Sequence, residues 1–235
     1  MSTSSSQPTV LIVGASRGLG LAMAAEFIEK GWHIIGTVRG TTRTLLHDLA
    51  DEHPGSIEIE QLDICVPEQL AALRQRLSGR VLDMLFVNAG TTNPDPTQTI
   101  GEVSTDDFVQ LMITNALSPM RVIEQLEPNV APTGMIGAMS SGQGSIGNNE
   151  SGQRELYRGT KAALNMFMRS FAARHASSRR ALVLMAPGWV RTELGGPDGR
   201  LSIEESVPSL VNVLLSTLGT PGLQYLDYLG RTVPW

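Results

Sequence analysis

A short run of apolar, β-prone residues, Thr9-Val10-Leu11-Ile12-Val13, passes without a break into Gly14-Ala15-Ser16-Arg17-Gly18-Leu19-Gly20. A continuous apolar run suits a strand covered on both faces, as in a parallel sheet, better than a strand with one wet face. Beyond the glycines, Leu21, Ala24, Ala25 and Ile28 mark one face of a helix that stops near Gly31. Strand, glycine turn and helix in direct succession set unpaired helix N–H groups and the positive dipole end beside the end of a strand, where a diphosphate can sit. Gly14 would allow the tight turn, Gly18 close approach of a ligand to the backbone, and Gly20 close packing of helix on strand. The spacing is G-x3-G-x-G rather than the commoner G-x-G-x-x-G, and such a turn can also be a plain βα connection.

The alternation continues along the chain. Strands are predicted near 9–14, 32–38, 57–61, 82–88, 133–140, 181–187 and 223–227, and helices near 18–30, 42–52, 67–78, 105–127, 153–176 and 203–218. This pattern predicts an α/β fold: a single doubly wound Rossmann-type domain over residues 9–235, with a mostly parallel seven-stranded sheet and helices on both faces. At 235 residues the chain can bury a large core. Residues 1–8 are expected to be a disordered tail, since Met1–Gln7 is Ser-rich and lacks the apolar segment of a signal peptide. Ligands of such sheets bind at the carboxyl ends of the strands, at the switch point. Gly14, Asp63, Asn88, Ser141 and Pro187 each fall at the predicted C-terminal end of a strand, so the fold would bring them together.

Tyr157 and Lys161 add chemistry. A spacing of four puts both side chains on one helix face, about 5–6 Å apart at Cβ. A phenol with an ordinary pKa near 10 is a poor acid or base at neutral pH, and a neighbouring cation lowers that value. A Tyr tuned in this way can give a proton to a carbonyl oxygen or take one from an alcohol. The chain uses Arg almost everywhere, 16 Arg against the two lysines Lys30 and Lys161, yet keeps a compact Lys at this position. The pair could also be an exposed helix pair with no further role.

Taken together, these features resemble the short-chain dehydrogenase/reductase family, from Val10 to the C-terminus. The glycine turn, with Ser16, Arg17 and Leu19, resembles the family's cofactor motif. Asn88-Ala89-Gly90, after the apolar strand Leu82–Val87, resembles its Asn-Ala-Gly motif, and Asp63-Ile64 the segment that contacts the adenine ring. Asn115 resembles the family's catalytic Asn, and Met139-Ser140-Ser141-Gly142 the segment carrying its catalytic Ser. Pro187-Gly188-Trp189-Val190-Arg191-Thr192 resembles the segment that closes over the nicotinamide. That last segment, with the ending Gly230–Trp235, further resembles the carbonyl reductase and C-factor-like subgroup. The resemblance implies catalysis by Asn115, Ser141, Tyr157 and Lys161, with Lys161 also holding the nicotinamide ribose and Asn115 keeping a water in line with Lys161. Ser141 is preferred over Ser140 by alignment, and since side chains alternate along a strand, only one of the two should face a pocket easily.

Charge decides the expected cofactor. The second strand ends Gly36-Thr37-Val38-Arg39, with no acid to hold ribose hydroxyls. Arg39 and Arg17 are instead expected to meet a 2′-phosphate, which predicts NADP(H). The predicted activity is reduction of a ketone, aldehyde or quinone carbonyl to an alcohol, or the reverse. The alternative is an NADP(H)-binding signalling or redox-sensing protein with little turnover. Net charge is −5, which leaves no basic footprint for nucleic acid, and no apolar stretch is long enough to span a membrane. One cysteine, Cys65, excludes an internal disulfide and fits a reducing, cytoplasmic setting; no metal-ligand spacing is found. Ser141 and Tyr157 lie 16 residues apart, with a polar surface loop expected at 144–153, and the Gly/Pro content of 193–202 predicts a mobile flap. Trp189 could wall the pocket or belong to the core. Apolar positions on more than one side of the 153–176 helix leave a homodimer or homotetramer open.

Overall fold

The computed structural model describes residues 7–235. Of the expected tail, residues 1–6 lie outside the described residues. Strands β1 (Thr9–Val13), β2 (His33–Val38), β3 (Ile57–Gln61), β4 (Leu82–Val87), β5 (Val130–Met139), β6 (Ala181–Ala186) and β7 (Gly222–Asp227) form one sheet. All pairs are parallel, in the order β3-β2-β1-β4-β5-β6-β7. From β1 the chain builds outward through β2 and β3, then returns to place β4 on the other side of β1. The switch point therefore lies between β1 and β4.

The apolar runs of the central strands are buried on both faces, as their composition requires. Val10 and Ile12 pack with Met84, Phe86, Met23, Phe27, Leu210 and Leu214, under helices α1 (Gly18–Glu29), α2 (Leu45–Glu52) and α7 (Ile203–Thr217). Leu11 and Val13 point the other way, to Leu85, Val87, Ile123, Leu164 and Phe171, under α3 (Pro67–Arg76), α5 (Ser118–Leu126) and α6 (Glu155–Arg174). Each such side chain stabilises the fold by about 1.5–3 kcal/mol through burial.

Four local differences from the sequence reading bear on the site. The buried face of α1 is Gly20, Met23, Ala24 and Phe27, one position off the expected stripe, with Leu21 and Ile28 half-buried at its margin. Gly20 sets that rotation: a Cβ there would stand 2.0 Å from the Gly14 carbonyl oxygen, so the helix lies on the strand along its glycine edge. The expected helix over 105–127 is α4 (Thr105–Met112) and α5, joined by a π-helical turn over Ile113–Leu117. The extra residue in that turn swings Asn115 inward, fully buried, and such turns occur often at functional sites. Helix α6 begins two residues later than expected, because Gln153 and Arg154 take left-handed backbone conformations, with φ of 54° and 51°. Finally, β5 begins at Val130 rather than 133, with a register shift against β4 between Leu82 and Met84.

Candidate active site

A cleft of about 1260 Å³ opens at the carboxyl ends of the strands, over the switch point. Every residue predicted for the site lines it except Gly20 and Asn115, which stand behind it. The glycine turn forms one end. Gly14, at φ 89°, leaves β1 with its Cα against Ala89, where a Cβ would meet that backbone at 2.9 Å. Gly18, at φ 56°, has no atom within 4 Å of where its Cβ would be, so its backbone is open to the cleft. Asn88 holds the turn from behind: its Nδ2 donates to the Gly14 carbonyl at 2.7 Å, and its N–H to that of Val13 at 2.9 Å. An open glycine backbone at the start of α1, with an uncapped Arg17 before it, fits a diphosphate.

Asp63 caps the turn after β3 through the Cys65 N–H, at 2.8 Å. Cys65 is half-buried and lines the cleft, its Sγ 3.5 Å from Thr114 Oγ1. Arg39 follows β2 at the cleft edge, exposed, with no carboxylate within 4 Å among the described residues. Arg17, expected beside it on a phosphate, is instead paired across the cleft with Glu193, at 3.0 Å. Both partners are well exposed, so the pair is weak and easily exchanged for another anion.

Segment 187–202 closes the other side. Within it, the Gly/Pro content of 193–202 predicts a mobile flap, and in the structure this stretch is wound into a hydrogen-bonded turn. Arg191 N–H donates to the Leu201 carbonyl at 2.9 Å, Leu201 N–H to that of Trp189 at 3.0 Å, and Gly196 N–H to that of Thr192 at 2.8 Å. The glycines serve close packing here: a Cβ on Gly195 would lie 2.0 Å from the Val190 oxygen, and one on Gly199 2.5 Å from Arg191 N. Trp189 is a wall and not core, 46% exposed, with its indole N–H on the Gly195 carbonyl at 2.7 Å.

The catalytic candidates meet in the middle. Alternation along the end of β5 sends the two serines opposite ways: Ser140 Oγ donates to Asn165 Oδ1 at 2.6 Å inside the protein, while Ser141 lines the cleft. Tyr225 fixes this corner by donating its hydroxyl to the Ser141 carbonyl. Tyr157 is 7% exposed, and burial pushes its phenol above the ordinary value; the Ser141 hydroxyl and then the Arg154 charge act the other way. The spacing predicts that Lys161 does this tuning. In the structure, the Lys161 ammonium donates to the Met139 carbonyl at 2.9 Å and stands 5.8 Å from the centre of the Tyr157 ring. Burial lowers the Lys161 pKa itself to about 8.

Asn115 is held on both sides. Its Oδ1 accepts from Thr91 N–H at 2.9 Å, and its Nδ2 donates to the Thr91 carbonyl at 2.8 Å and to Thr160 Oγ1 at 3.1 Å. It thus ties the loop after β4 to α6 instead of facing open space with its whole amide. The space over Gly90 lies between Asn115 and Lys161; a Cβ there would be 3.4 Å from both Asn115 Oδ1 and Lys161 Nζ.

Sequence reasoning missed two residues of this site. Arg154, one helical turn before Tyr157, lies with its guanidinium carbon 5.2 Å from that ring's centre. Gln143 lines the same cleft, two residues after Ser141. The i, i+3 spacing of Arg154 and Tyr157 was a usable signal; nothing in the sequence marked Gln143.

Comparison with known proteins decides the lineage. The family described as short chain dehydrogenase matches residues 8–200. The chain belongs to the short-chain dehydrogenase/reductase family. Within that family it is similar to a Burkholderia multivorans short-chain dehydrogenase/reductase solved with bound NADP: 71% identical, covering 97% of this chain and 100% of that one, with a TM-score of 0.97. A Pseudomonas aeruginosa carbonyl reductase in complex with NADP is 33% identical over 98% of this chain and 100% of its own, with a TM-score of 0.90. The Myxococcus xanthus protein C-signal is 33% identical over 66% of this chain and 93% of its own. The dehydrogenase is thus an oxidoreductase-family protein with carbonyl reductase and C-signal relatives, and no described helix is long and apolar enough to cross a membrane.

Proposed function

We propose that this dehydrogenase uses NADP(H) to reduce a ketone, aldehyde or quinone carbonyl to an alcohol, or to run the reverse, with Tyr157 as general acid or base. The observation that carries this reading is the buried Tyr157 phenol beside Ser141, in the same cleft as the open glycine turn. Burial keeps the phenol protonated at neutral pH, so it holds a proton for a carbonyl oxygen. Ser141 and Arg154 ease the loss of that proton by favouring the phenolate. The Ser141 hydroxyl also orients the substrate oxygen. Lys161, with a pKa of about 8, remains mostly charged at neutral pH. With Asn115 across the space over Gly90, it forms the inner end of a route that returns a proton toward Tyr157.

A bound NADPH would supply the hydride. Gly14, Ser16, Gly18, Leu19 and the start of α1 would hold its diphosphate, Asp63 and Ile64 its adenine, and Asn88, Ala89 and Gly90 the floor beneath it. Lys161 would take the nicotinamide ribose, and Pro187, Gly188, Trp189, Val190 and Thr192 would enclose the nicotinamide. Arg39 suits a 2′-phosphate, because no carboxylate neutralises it, and Arg17 can join it by leaving Glu193. Binding of NADP by a 71% identical relative supports this choice.

Tyr157→Phe tests the proposal, since it removes one hydroxyl and keeps the ring. Carbonyl reduction should fall by at least roughly 10²-fold, the size of a lost positioned acid, with NADPH affinity little changed. A variant that reduces its best substrate at the native rate refutes the mechanism. The likeness to C-signal favours a second reading, an NADP(H)-binding signalling protein. Tight NADPH binding with no turnover across a broad carbonyl panel would select it.

A further inference from the structure

Among the described residues, two buried side-chain atoms have no hydrogen-bond partner, Gln143 Oε1 and Arg154 Nε, and both residues line the cleft with Tyr157. Native folds leave few such atoms unsatisfied, because a buried group that has lost water without gaining a partner is destabilising. Two beside the Tyr157 phenol mark a place where packing leaves polar groups unanswered.

Arg154 carries the argument. It stands in left-handed backbone, φ 51° and ψ 38°, directly after Gln153 at φ 54°. Non-glycine residues rarely take this conformation, and where it persists the surroundings enforce it. Arg158 does so here: its Nε donates to the Gln153 carbonyl at 2.8 Å and its Nη2 to Ser151 Oγ at 3.1 Å. The result is that Arg154 turns into the cleft. Its guanidinium lies against the Tyr157 ring, and its one side-chain hydrogen bond is a long one, Nη2 to Thr92 Oγ1 at 3.4 Å. No carboxylate lies within 4 Å of it among the described residues, although most other arginines near the cleft or the sheet edges are paired. A half-buried, unpaired guanidinium is a planar fork suited to a carboxylate. Arg154 lies against Tyr157, whereas Arg17 belongs to the glycine turn and Arg39 to the end of β2.

We infer that Arg154 is a specificity residue that selects substrates carrying a carboxylate close to the reacting carbonyl, so that the substrates of this cleft are short oxo acids. The inference rests on Tyr157 as the group that meets the carbonyl oxygen: with the carbonyl there, the neighbouring guanidinium is within reach of a carboxylate one or two carbons away.

The test compares acid and ester forms of one carbonyl: phenylglyoxylate with its methyl ester, and acetoacetate with its methyl ester, each reduced with NADPH. The native protein should prefer each acid over its ester. Arg154→Gln should lower kcat/KM for the acids by roughly 10- to 100-fold more than for their esters, mainly through KM, as expected for one lost charge-assisted contact, while any loss that acts through the Tyr157 phenol falls equally on acid and ester. Arg154→Lys should recover part of the loss. Arg154→Gly takes the left-handed backbone without strain and serves if the Gln variant does not fold. Equal losses on acid and ester overturn the inference, as does a native preference for the esters. A fall in NADPH affinity matching the fall for the acids also overturns it, since the anion at Arg154 would then belong to the nucleotide. Turnover of acid and ester alike that depends on Tyr157 but ignores Arg154 removes this inference alone. Failure to reduce any of the four compounds overturns it together with the reading it rests on.

Discussion

Lys161 offers a quantitative test, because its side chain carries a charge into the protein interior with only the Met139 carbonyl as partner. Its pKa falls from 10.5 to about 8 in the folded state, and the cause is burial. Below about pH 8 the lysine is charged both folded and unfolded, so the whole cost of burying the ammonium is present. Between about 8 and 10.5 the folded state releases the proton while the unfolded chain retains it, so stability rises with pH across this window. Above 10.5 both states are neutral and the cost is gone. The gap, 10.5 − 8, corresponds to about 3 kcal/mol in total, of which about 2 kcal/mol is recovered between pH 7 and 9.5. Lys161→Met keeps the length of the side chain and removes the charge. The carbonyl it leaves without a donor shifts the variant's stability equally at both pH values, and other titrating groups cancel between the two proteins. Urea unfolding without added nucleotide, at pH 7 and at pH 9.5, should show the native protein gaining about 2 kcal/mol relative to the variant. In thermal melts the corresponding change in the Tm difference is about 4–8 °C. Stability differences that stay constant within about 0.5 kcal/mol between the two pH values would refute the buried-ammonium reasoning.

Arg39→Ala should weaken NADPH binding by roughly 10- to 100-fold, with NADH binding nearly unchanged, through loss of one charge-assisted contact; calorimetry with both nucleotides checks it, and equal loss for the two speaks against a 2′-phosphate at Arg39. Gly20→Ala should cost at least about 1–3 kcal/mol, since its Cβ would stand 2.0 Å from the Gly14 oxygen and α1 must move off β1; a melting temperature within 1–2 °C of native, on the order of the smallest resolvable effect, contradicts that packing. Met166 and Phe167 stand exposed on α6, 60% and 42% respectively, so a homodimer across this face is expected to weaken in Met166→Glu; light scattering showing only single chains for the native protein refutes it.

Much of the site was legible because its parts are local. The glycine turn, Asn88-Ala89-Gly90, Ser141 and Pro187–Thr192 each sit at the end of an apolar strand, and strand ends are readable from composition. The parallel sheet then brings them into one cleft, as the strand order requires. What the sequence left open depends on direction. The spacing of Tyr157 and Lys161 places both on one helix face, but a lysine stem is flexible, and the nearest carbonyl, Met139 on β5, captures its ammonium. Arg17 is expected on a phosphate, and only the fold shows that Glu193, far along the chain, lies across the cleft from it. The Gly/Pro content of 193–202 predicts a flap, and only the fold shows that Gly195 and Gly199 let backbone touch backbone there.

The chain's own pattern of apolar runs and glycines was enough to determine the α/β alternation, the doubly wound sheet and the end of the sheet where the cleft opens, because periodicity and backbone freedom are properties of neighbouring residues. The tertiary structure alone brought the Arg154 guanidinium against the Tyr157 ring. The π turn that buries Asn115, the left-handed pair that turns Arg154 inward and the burial that lowers Lys161 all arise from segments far apart in sequence pressing on one another. Desolvation and charge depend on distance through space, and no spacing along the chain encodes that.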